Sequence, residues 1–532
     1  MTADGAGGGA GSAESDAAGR DASATAAAAA PDDPDAVDRL AHGATVSVPS
    51  ILLQRGLMVA FTAVLTNGFG AGSYGLFALA RRLQRFLRRL SMGFRNGLSR
   101  YLPTAESDAE RDLLITVGAV LLVGSTTVFG AALYLAAPAI ADLAGEGGQF
   151  RLFLRIFAAG LPVTILLYVV TETLRGLEAV APFNLALRIG FPVAQLGVGV
   201  VGTVLLDDLA LVAVGVVAAM GLTGLVAAGW LVRSVGVRPR WPDGPEWTVW
   251  RRYVRYTVPL FANGIAMTTQ RLGFYPLIVL YLSGVAGGVF AVGILLGRLV
   301  RLPLAGINQF IPPVAAALHD EGHRVSLQRL YHVTSRLVLT GVTAIAVPLI
   351  VYRVPVMGLF GPTFVEFAPL LPGFVVAQYA ACGAGSVGIL LMMTDNQRAI
   401  LAVNLTITAF LIVTAVPLTI TDGLPGLVVS YVLMLTVNNA MEVAALYYLE
   451  GLQPLTRRHA RPLVAAVPFV GIALAARTAL SSPAGPVVGT VLGVAAYAVA
   501  LSLLGFTPVE RRLGATLLER YRTALGRALP GD

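Results

Sequence analysis

The chain has 532 residues, of which 56% are hydrophobic and only 13% charged, and its mean hydropathy is +0.74. Soluble domains carry about 25% charged residues, so an assembly of soluble domains or a nucleic-acid-binding protein is excluded. All 38 basic residues are arginines, the net charge is +8, and Cys382 is the only cysteine. Without lysine there is no Schiff base or phosphate-loop lysine, and one cysteine cannot form an intramolecular disulfide. The composition indicates a polytopic membrane protein, for which we expect an all-α fold. We also expect it to be no enzyme and to need no metal or cofactor.

Residues 1–44 form a segment rich in Ala, Gly, Ser and Asp, with acidic residues throughout. Such a segment has too few large apolar side chains to offset chain entropy. It also lacks the basic start and apolar core of a signal peptide. We expect a disordered acidic tail.

From Thr45 onward, apolar runs recur that are each about 20 residues long, which is enough for a helix to cross a bilayer. We count fourteen spans, centred near residues 56, 83, 125, 163, 192, 220, 265, 298, 340, 378, 408, 436, 470 and 495. They predict an N-lobe of spans 1–6 (residues 45–232), a linker (233–252) and a C-lobe of spans 7–12 (253–450). Spans 13 and 14 (451–505) and a basic amphipathic tail (506–532) follow. The linker places tryptophans beside arginines, a pattern typical of the headgroup level of a membrane.

The arginines outside the spans are distributed unevenly. The even-numbered connections hold sixteen arginines from Arg95 to Arg461, whereas the odd-numbered ones hold only Arg353 and Arg477 together with several acids. Since basic connections stay in the cytoplasm, this asymmetry predicts a multi-pass protein of the cell membrane with both termini cytoplasmic.

A shift of 213 residues aligns part of the chain with itself. The shift pairs Gly75 with Gly288, Phe77 with Phe290, Ala78 with Ala291, Leu83 with Leu296, Arg85 with Arg298, Arg88 with Arg301 and Gly93 with Gly306. Span 2 thus corresponds to span 8, which predicts two pseudo-symmetric six-helix lobes with substrate between them.

Span 2 carries five arginines, here called the arginine stripe: Arg81, Arg82, Arg85, Arg88 and Arg89. At about 100° per residue they fall within an arc of roughly 120°. Facing lipid, each would cost roughly 2.5–3.5 kcal/mol, while Glu172 and Glu442 are the convincing acids within the spans. The pattern therefore favours a hydrated cavity for an anion, since the arginine fork matches phosphate oxygens.

Two other interpretations of the stripe stay open. Span 2 could be short, so that its arginines lie in the cytoplasm or reach it by snorkelling. The spacing of Arg82, Arg85 and Arg88 also matches a voltage sensor, although no filter-like segment accompanies it.

Other polar residues within the spans are weaker candidates. Glu442 stands one turn from Asn438 and Asn439, a cluster that could bind a coupling H⁺ or Na⁺, or in which the amides simply satisfy the carboxyl group. Asn263 and Gln270 in span 7 could hydrogen-bond sugar hydroxyls, or could bond neighbouring helices instead.

Several segments resemble prokaryotic polysaccharide flippases of the Wzx type, in the multidrug/oligosaccharidyl-lipid/polysaccharide exporter superfamily. They are the opening of span 2 (residues 70–79, GAGSYGLFAL), its cytoplasmic end (93–102, GFRNGLSRYL), and residues 288–292, 359–364 and 391–397. The resemblance runs from about residue 45 to 505. It implies fourteen helices, with two six-helix lobes in a V around a central cavity and two extra C-terminal helices.

The resemblance also implies a function. Such a protein translocates a polyprenyl-(pyro)phosphate-linked oligosaccharide from the inner to the outer leaflet by alternating access, for surface polysaccharide or glycoprotein biosynthesis. Related lipid II flippases use arginines of spans 1, 2 and 8, and Arg55, Arg85 and Arg298 occupy comparable spans here. Expected partners are the lipid-linked substrate, membrane lipids, and glycosyltransferases or a polymerase of the same pathway.

The predicted phosphate site comprises Arg81, Arg85, Arg88, Arg298 and Arg301, with Arg55, Arg271, Asn263 and Gln270 as a secondary set. The alternative is a cation-coupled drug or metabolite antiporter of the same superfamily. Such antiporters usually have twelve spans and need a coupling carboxylate, so spans 13 and 14 disfavour this alternative.

Overall fold

The computed structural model describes residues 34–505 except 178, 239, 271–273 and 309–310. Within that range, side chains are described except at 34–49, 92, 96, 99, 176, 180, 181, 245, 260 and 262–270. The predicted basic tail at 506–532 and most of the predicted acidic tail lie outside the described residues. The described chain is helical from its first residue, Pro34, which lies eleven residues before the predicted start of span 1.

Helices α1 to α8 form the N-lobe. They are α1 (Pro34–Leu90), α2 (Met92–Tyr101), α3 (Asp108–Leu143), α4 (Gly148–Ala159), α5 (Leu161–Gly176), α6 (Val180–Asn184), α7 (Phe191–Val204) and α8 (Leu209–Val235). A π-helical turn at Leu185–Gly190 joins α6 to α7.

Helices α9 to α19 form the C-lobe, and two more helices follow it. The C-lobe comprises α9 (Trp247–Gln270), α10 (Tyr275–Tyr281), α11 (Gly284–Gly297), α12 (Leu302–Ile307), α13 (Ile311–Asp320), α14 (Arg324–Val351), α15 (Arg353–Gly358), α16 (Pro362–Glu366), α17 (Leu371–Gly383), α18 (Val387–Met393) and α19 (Gln397–Glu450). The last two helices are α20 (Ala460–Ala479) and α21 (Ala484–Leu504), and 3₁₀ turns at Arg298–Arg301 and Arg457–His459 precede α12 and α20.

The helices account for the predicted number of spans. Among the described residues, ten helices are long and apolar enough to cross a membrane, and the bent pair α4–α5 makes an eleventh. Two of the ten, α1 and α19, are broken by Gly70 (φ 75°) and Gly423 (φ 63°), so each holds two spans. The pair α9–α10, on either side of residues 271–273, occupies the place of span 7. The prediction of about fourteen spans in two lobes plus two C-terminal helices is confirmed.

The two lobes are in contact at spans 2 and 8, the pair of spans that the internal repeat relates. A Cβ atom added to Gly75 would collide with the carbonyl oxygen of Gly284, and one added to Gly288 would collide with that of Ala71. Residues 71 and 284 are also related by the shift of 213. The contact of residue 75 with residue 284 is therefore equivalent to that of residue 288 with residue 71. This reciprocity defines a pseudo-two-fold axis between spans 2 and 8, as in an isologous interface.

Each lobe is packed around one aromatic residue of the repeat. Phe77 contacts the rings of Phe61, Phe153 and Phe157, at centroid distances of 6.4, 6.0 and 5.4 Å. Its counterpart Phe290 contacts Phe274, Phe374, Tyr275 and Tyr431 at 5.4–6.0 Å. Both central rings are almost fully buried. Spans 2 and 8 are thus each anchored by aromatic packing, and the two clusters belong to one continuous hydrophobic core.

The lobes also touch beyond the glycine contact. At the membrane face near Gly75, here called the Gly75 face, Asn67 Nδ2 donates to the Leu359 carbonyl at 2.8 Å, and the Gly284 amide donates to Glu146 at 2.9 Å. At the opposite face, called the Tyr253 face, the Tyr253 hydroxyl donates to the Phe94 carbonyl at 2.7 Å. The predicted orientation makes the Gly75 face the outer one.

Candidate anion site between the lobes

The arginine stripe begins well inside the predicted membrane. Fifteen residues separate Gly70 from Arg85 and fourteen separate Gly284 from Arg298, which is about 22 and 21 Å at 1.5 Å per residue. In a hydrocarbon layer about 30 Å thick, both side chains start below the midplane as seen from the Gly75 face. Spans 2 and 8 thus place Arg85 and Arg298 at similar depths in the membrane.

A cavity of about 300 Å³, the interlobe cavity, lies beside these charges. It is lined by Leu79, Arg82, Leu83, Arg85, Phe86, Arg89, Ile140, Leu143, Phe150, Tyr275, Pro276, Val279, Leu280 and Arg298. Four of these residues are arginines and none is acidic. Span 2, the N-lobe helices α3 and α4, α10 of span 7, and the 3₁₀ turn that ends span 8 supply this lining.

Arg82, Arg85 and Arg298 of the interlobe cavity make no ion pair with a described acidic residue. The Arg82 guanidinium lies 4.4 Å from the centroid of the Tyr275 ring, a contact that orients a cation and leaves its charge in place. Arg85 is half-buried, and its Nε has no hydrogen-bond partner. Arg298 lies close enough to Arg82 and Arg301 to be repelled by both. An anion entering the cavity would relieve this repulsion.

A second, smaller cavity lies inside the N-lobe. It measures about 130 Å³ and is lined by the stripe residues Arg81, Arg85 and Arg88 with polar and apolar neighbours from α5, α7 and α8. Arg81 donates to Gln195 at 2.6 Å, and Arg88 donates to the Tyr168 hydroxyl at 3.0 Å while lying 4.1 Å from its ring centroid. The stripe is therefore divided between two cavities, with Arg85 lining both.

Arg55 and Arg301 complete the charge between the lobes. Arg55, in the first half of α1, is repelled by both Arg298 and Arg301 across the lobe boundary. Arg301 is exposed at the end of its 3₁₀ turn and lies within electrostatic range of Glu442 in span 12. The predicted arginines of spans 1, 2 and 8 are thus electrostatically connected.

The acids within the spans do not neutralise this set. Glu172, which is 3% exposed, pairs with Arg95 at 3.2 Å and with Arg175 at 3.5 Å. Among the ion pairs of the described residues, none includes Arg81, Arg82, Arg85, Arg88 or Arg298. Unbalanced buried charge is costly, so water or an anion must solvate it.

The predicted coupling cluster lies within the C-lobe. Asn438 Nδ2 donates to Glu442 Oε1 at 2.9 Å, and the carboxyl group packs against Gly388 of α18. Asn439 is directed elsewhere, since its Nδ2 donates to the Ala380 carbonyl at 2.5 Å. One amide thus satisfies the carboxyl group and the other links two helices.

Three candidates of the secondary set cannot be placed. Arg271 and the side chains of Asn263 and Gln270 lie outside the described residues. The structure instead adds residues that were not in the predicted site. Arg82 and Arg89, seven residues apart on one helix face, line the interlobe cavity, a relationship that helical spacing could have revealed. The sequence did not indicate Tyr275, Tyr168 or Gln195 as site residues, because each lies on a different helix from the arginine stripe.

Comparison with known proteins shows similarity in structure only. No protein-family model and no curated protein matches the sequence. Among solved structures, the lipid II flippase MurJ in an inward closed conformation superposes with a TM-score of 0.67 at 10% identity, over 86% of this chain and 97% of that one. An inward-facing multidrug resistance transporter of the MATE family superposes with a TM-score of 0.54 at 16% identity, over 80% and 97%.

A third neighbour is a MOP superfamily transporter from Pyrococcus furiosus, with a TM-score of 0.53 at 16% identity over 80% of this chain and 96% of that one. That transporter is described as having a binding pocket of reverse polarity. The chain shares the fold of these two transporters and of the lipid II flippase. The resemblance inferred from sequence agrees with that fold.

Proposed function

We propose that the chain is a flippase that moves a polyprenyl-(pyro)phosphate-linked oligosaccharide from the inner to the outer leaflet by alternating access. It would do so without covalent chemistry, for surface polysaccharide or glycoprotein biosynthesis. The observation that carries the proposal is the interlobe cavity, in which Arg82, Arg85, Arg89 and Arg298 surround one space without an acidic residue. Its MurJ-like fold is consistent with a lipid-linked substrate.

The chemistry of the cavity suits a phosphate group. Arginine presents parallel N–H donors that match two phosphate oxygens, and it remains charged when buried. A volume of about 300 Å³ exceeds that of several waters, each about 30 Å³, so a pyrophosphate fits without the lipid tail. The tail would stay in the bilayer, beside spans 13 and 14, while the lobes rock about the bound head.

Each arginine has a proposed part. Arg85 and Arg298 would bind the phosphate first, with Arg55 and Arg301 as further positive charges along its path between the lobes. Arg81 and Arg88, in the smaller N-lobe cavity, would add positive electrostatic potential on the N-lobe side of Arg85. Glu442, within range of Arg301, is the candidate for coupling to a proton or sodium gradient.

The second candidate function is a drug or metabolite antiporter, which the MATE-family neighbours and the Glu442 cluster favour. A cationic drug would meet four arginines in the interlobe cavity, and repulsion between like charges opposes its binding. This alternative therefore fits an anionic metabolite better than a cationic drug.

The proposed cellular setting follows from the charge pattern. The protein would lie in the cell membrane with both termini cytoplasmic, so that substrate made on the cytoplasmic side enters from the Tyr253 face. Glycosyltransferases that build the lipid-linked glycan and a polymerase that consumes it are the proposed partners.

Reconstituted vesicles can test the proposal. The substrate would be a fluorescent polyprenyl-pyrophosphate-linked disaccharide, and dithionite added outside would quench only the outer leaflet. We expect the intact chain to bring inner-leaflet substrate to the quencher. Arg85→Gln with Arg298→Gln should reduce that rate at least tenfold, whereas Arg251→Gln with Arg398→Gln, two exposed arginines outside both cavities, should not.

The same vesicles separate the two functions. Proton-driven uptake of a small anion or of a cationic dye, without movement of the lipid-linked sugar, would establish the antiporter and overturn the flippase. Equal rates in both double variants would remove the interlobe cavity from the mechanism.

A further inference from the structure

A third basic cavity lies at the Tyr253 face, far from the arginine stripe in sequence. It measures about 350 Å³ and lies between the first half of α14 and the 3₁₀ turn that precedes α20. Its lining is Arg329, His332, Val333, Arg336, Thr456, Arg457 and Arg458, and no carboxylate is among them. We call it the α14–α20 cavity.

One wall of the α14–α20 cavity is built by hydrogen bonds. The connection from span 12 to span 13 is joined to α14, because Gln328 Nε2 donates to the Gln453 carbonyl at 2.7 Å and the Gln453 amide donates to Gln328 Oε1 at 3.0 Å. Farther along, the Thr456 amide donates to His459 Nδ1 at 3.1 Å, which leaves Nε2 to donate to the Ser335 hydroxyl at 3.0 Å. The turn that bears Arg457 and Arg458 is therefore fixed beside α14.

The positive charges of the cavity extend inward from its mouth. Arg457 and Arg458 are exposed, and Arg329 is exposed five residues after the start of α14. Arg336 is twelve residues after that start, about 18 Å along the helix, and is only 6% exposed. Guanidinium groups thus line the cavity from its exposed mouth, where Arg457 and Arg458 lie, to its buried end.

The surface next to the cavity is apolar. In α20, directly after Arg457 and Arg458, Leu463, Val464 and Val467 are 51%, 56% and 69% exposed. Exposed branched apolar side chains on a membrane helix face hydrocarbon chains. A basic pocket therefore adjoins a surface that suits acyl chains. A phospholipid would contact both, whereas a free phosphate ion would contact only the pocket.

We propose that the α14–α20 cavity binds the phosphate headgroup of an anionic phospholipid whose acyl chains lie along the exposed face of α20. Basic pockets between membrane helices bind such headgroups, and the arginine fork suits their oxygens. The bound lipid would connect spans 13 and 14 to span 9 of the C-lobe. The proposal is independent of the function of the interlobe cavity.

The test uses the purified full-length protein in a neutral detergent. Its thermal midpoint Tm is followed while dioctanoyl phosphatidylglycerol, dioctanoyl phosphatidylcholine or inorganic phosphate is added. We expect only phosphatidylglycerol to raise Tm in a saturable way. Arg457→Gln with Arg458→Gln changes two exposed side chains and leaves the anchored backbone intact. It should weaken the apparent affinity about 30-fold, because each surface arginine contributes about 1 kcal/mol toward an anionic lipid.

The matched control removes the same number of charges elsewhere. Arg251→Gln with Arg398→Gln should retain the affinity of the unaltered chain. An equal loss in the control would mean diffuse attraction to the surface and would overturn the proposal. An equal effect of inorganic phosphate would identify a free-anion site instead, and no rise in Tm with phosphatidylglycerol would also overturn it.

Discussion

Gly75 and Gly288 face each other across the boundary between the lobes, and a Cβ atom on Gly288 would lie 3.4 Å from the Gly75 Cα atom. The same two residues are paired by the internal repeat. Small residues, glycine above all, allow two helices to approach so closely. This contact closes the Gly75 face in the present conformation, and alternating access would require it to separate.

A leucine at position 288 should keep that face open. Gly288→Leu would place its side chain against the Ala71 carbonyl, so spans 2 and 8 would move toward the ordinary helix separation of about 8–10 Å. Spin labels at the exposed positions Gln149 and Glu366, in a Cys382→Ser background, would report a longer distance between the lobes, and transport would fall. Gly124→Leu, where a Cβ atom meets nothing within 4 Å, serves as the control. An unchanged label distance in Gly288→Leu would show that the glycine contact does not set the closed state.

Substitutions of Arg85 and Arg298 should separate the contribution of the positive charge to substrate affinity from that of the planar guanidinium group. Arg298→Gln removes a charge-assisted hydrogen bond worth about 1.5–3 kcal/mol, so affinity for a polyprenyl pyrophosphate should fall roughly 10- to 150-fold. Arg85→Lys retains the charge without the planar fork and should lose less affinity than Arg85→Gln. Binding can be measured by microscale thermophoresis. Equal affinity in all three variants and the unaltered chain would contradict the proposed site.

Glu442→Gln addresses coupling. Because Asn438 already donates to the carboxyl group at 2.9 Å, a glutamine should be accommodated after rotation of one amide, and the protein should fold normally. We expect transport to lose its dependence on an imposed proton or sodium gradient, since an amide can neither release a proton nor offer Na⁺ a carboxylate. If the gradient dependence stayed within about twofold of that of the unaltered chain, Glu442 would not be the coupling site.

Tyr253 should stabilise the contact at the opposite face. Its side chain is fully buried, and its hydroxyl donates to the Phe94 carbonyl at 2.7 Å. Tyr253→Phe should lower the free energy of unfolding in detergent by about 1 kcal/mol, while Tyr253→Ala should cost about 3–5 kcal/mol because it also leaves a cavity. Tyr448→Phe, at a position 83% exposed, should change stability little. A neutral Tyr253→Phe would mean that water replaces the lost hydrogen bond.

Much of the architecture could be read from local patterns. Each run of about 20 apolar residues has one low-energy arrangement in a bilayer, a helix that pairs its own backbone groups. The repeat that joins Gly75 to Gly288 and Phe77 to Phe290 was likewise visible in the sequence, because matched positions in two lobes face the same environment. The approximate depth of Arg85 and Arg298 also follows from helix rise alone.

The partners of each arginine could not be read in the same way. Helical spacing places Arg81, Arg85 and Arg88 along one broad face of span 2, yet Arg81 and Arg88 lie in the N-lobe cavity, while Arg85 also reaches the interlobe cavity. That division depends on which distant residues stand opposite the helix, such as Gln195, Tyr168 and Tyr275. The α14–α20 cavity likewise needs α14 and the turn before α20 to meet, although more than a hundred residues separate them.

The sequence by itself determined that this is a fourteen-span membrane protein of two related lobes with more positive charge inside the membrane than its acids can balance. Hydropathy and helix periodicity are properties of neighbouring residues, and they were sufficient for that. Only the tertiary structure decided how the charge is distributed among three cavities. Packing between helices far apart in the chain sets which guanidinium groups share a space, and no local pattern encodes it.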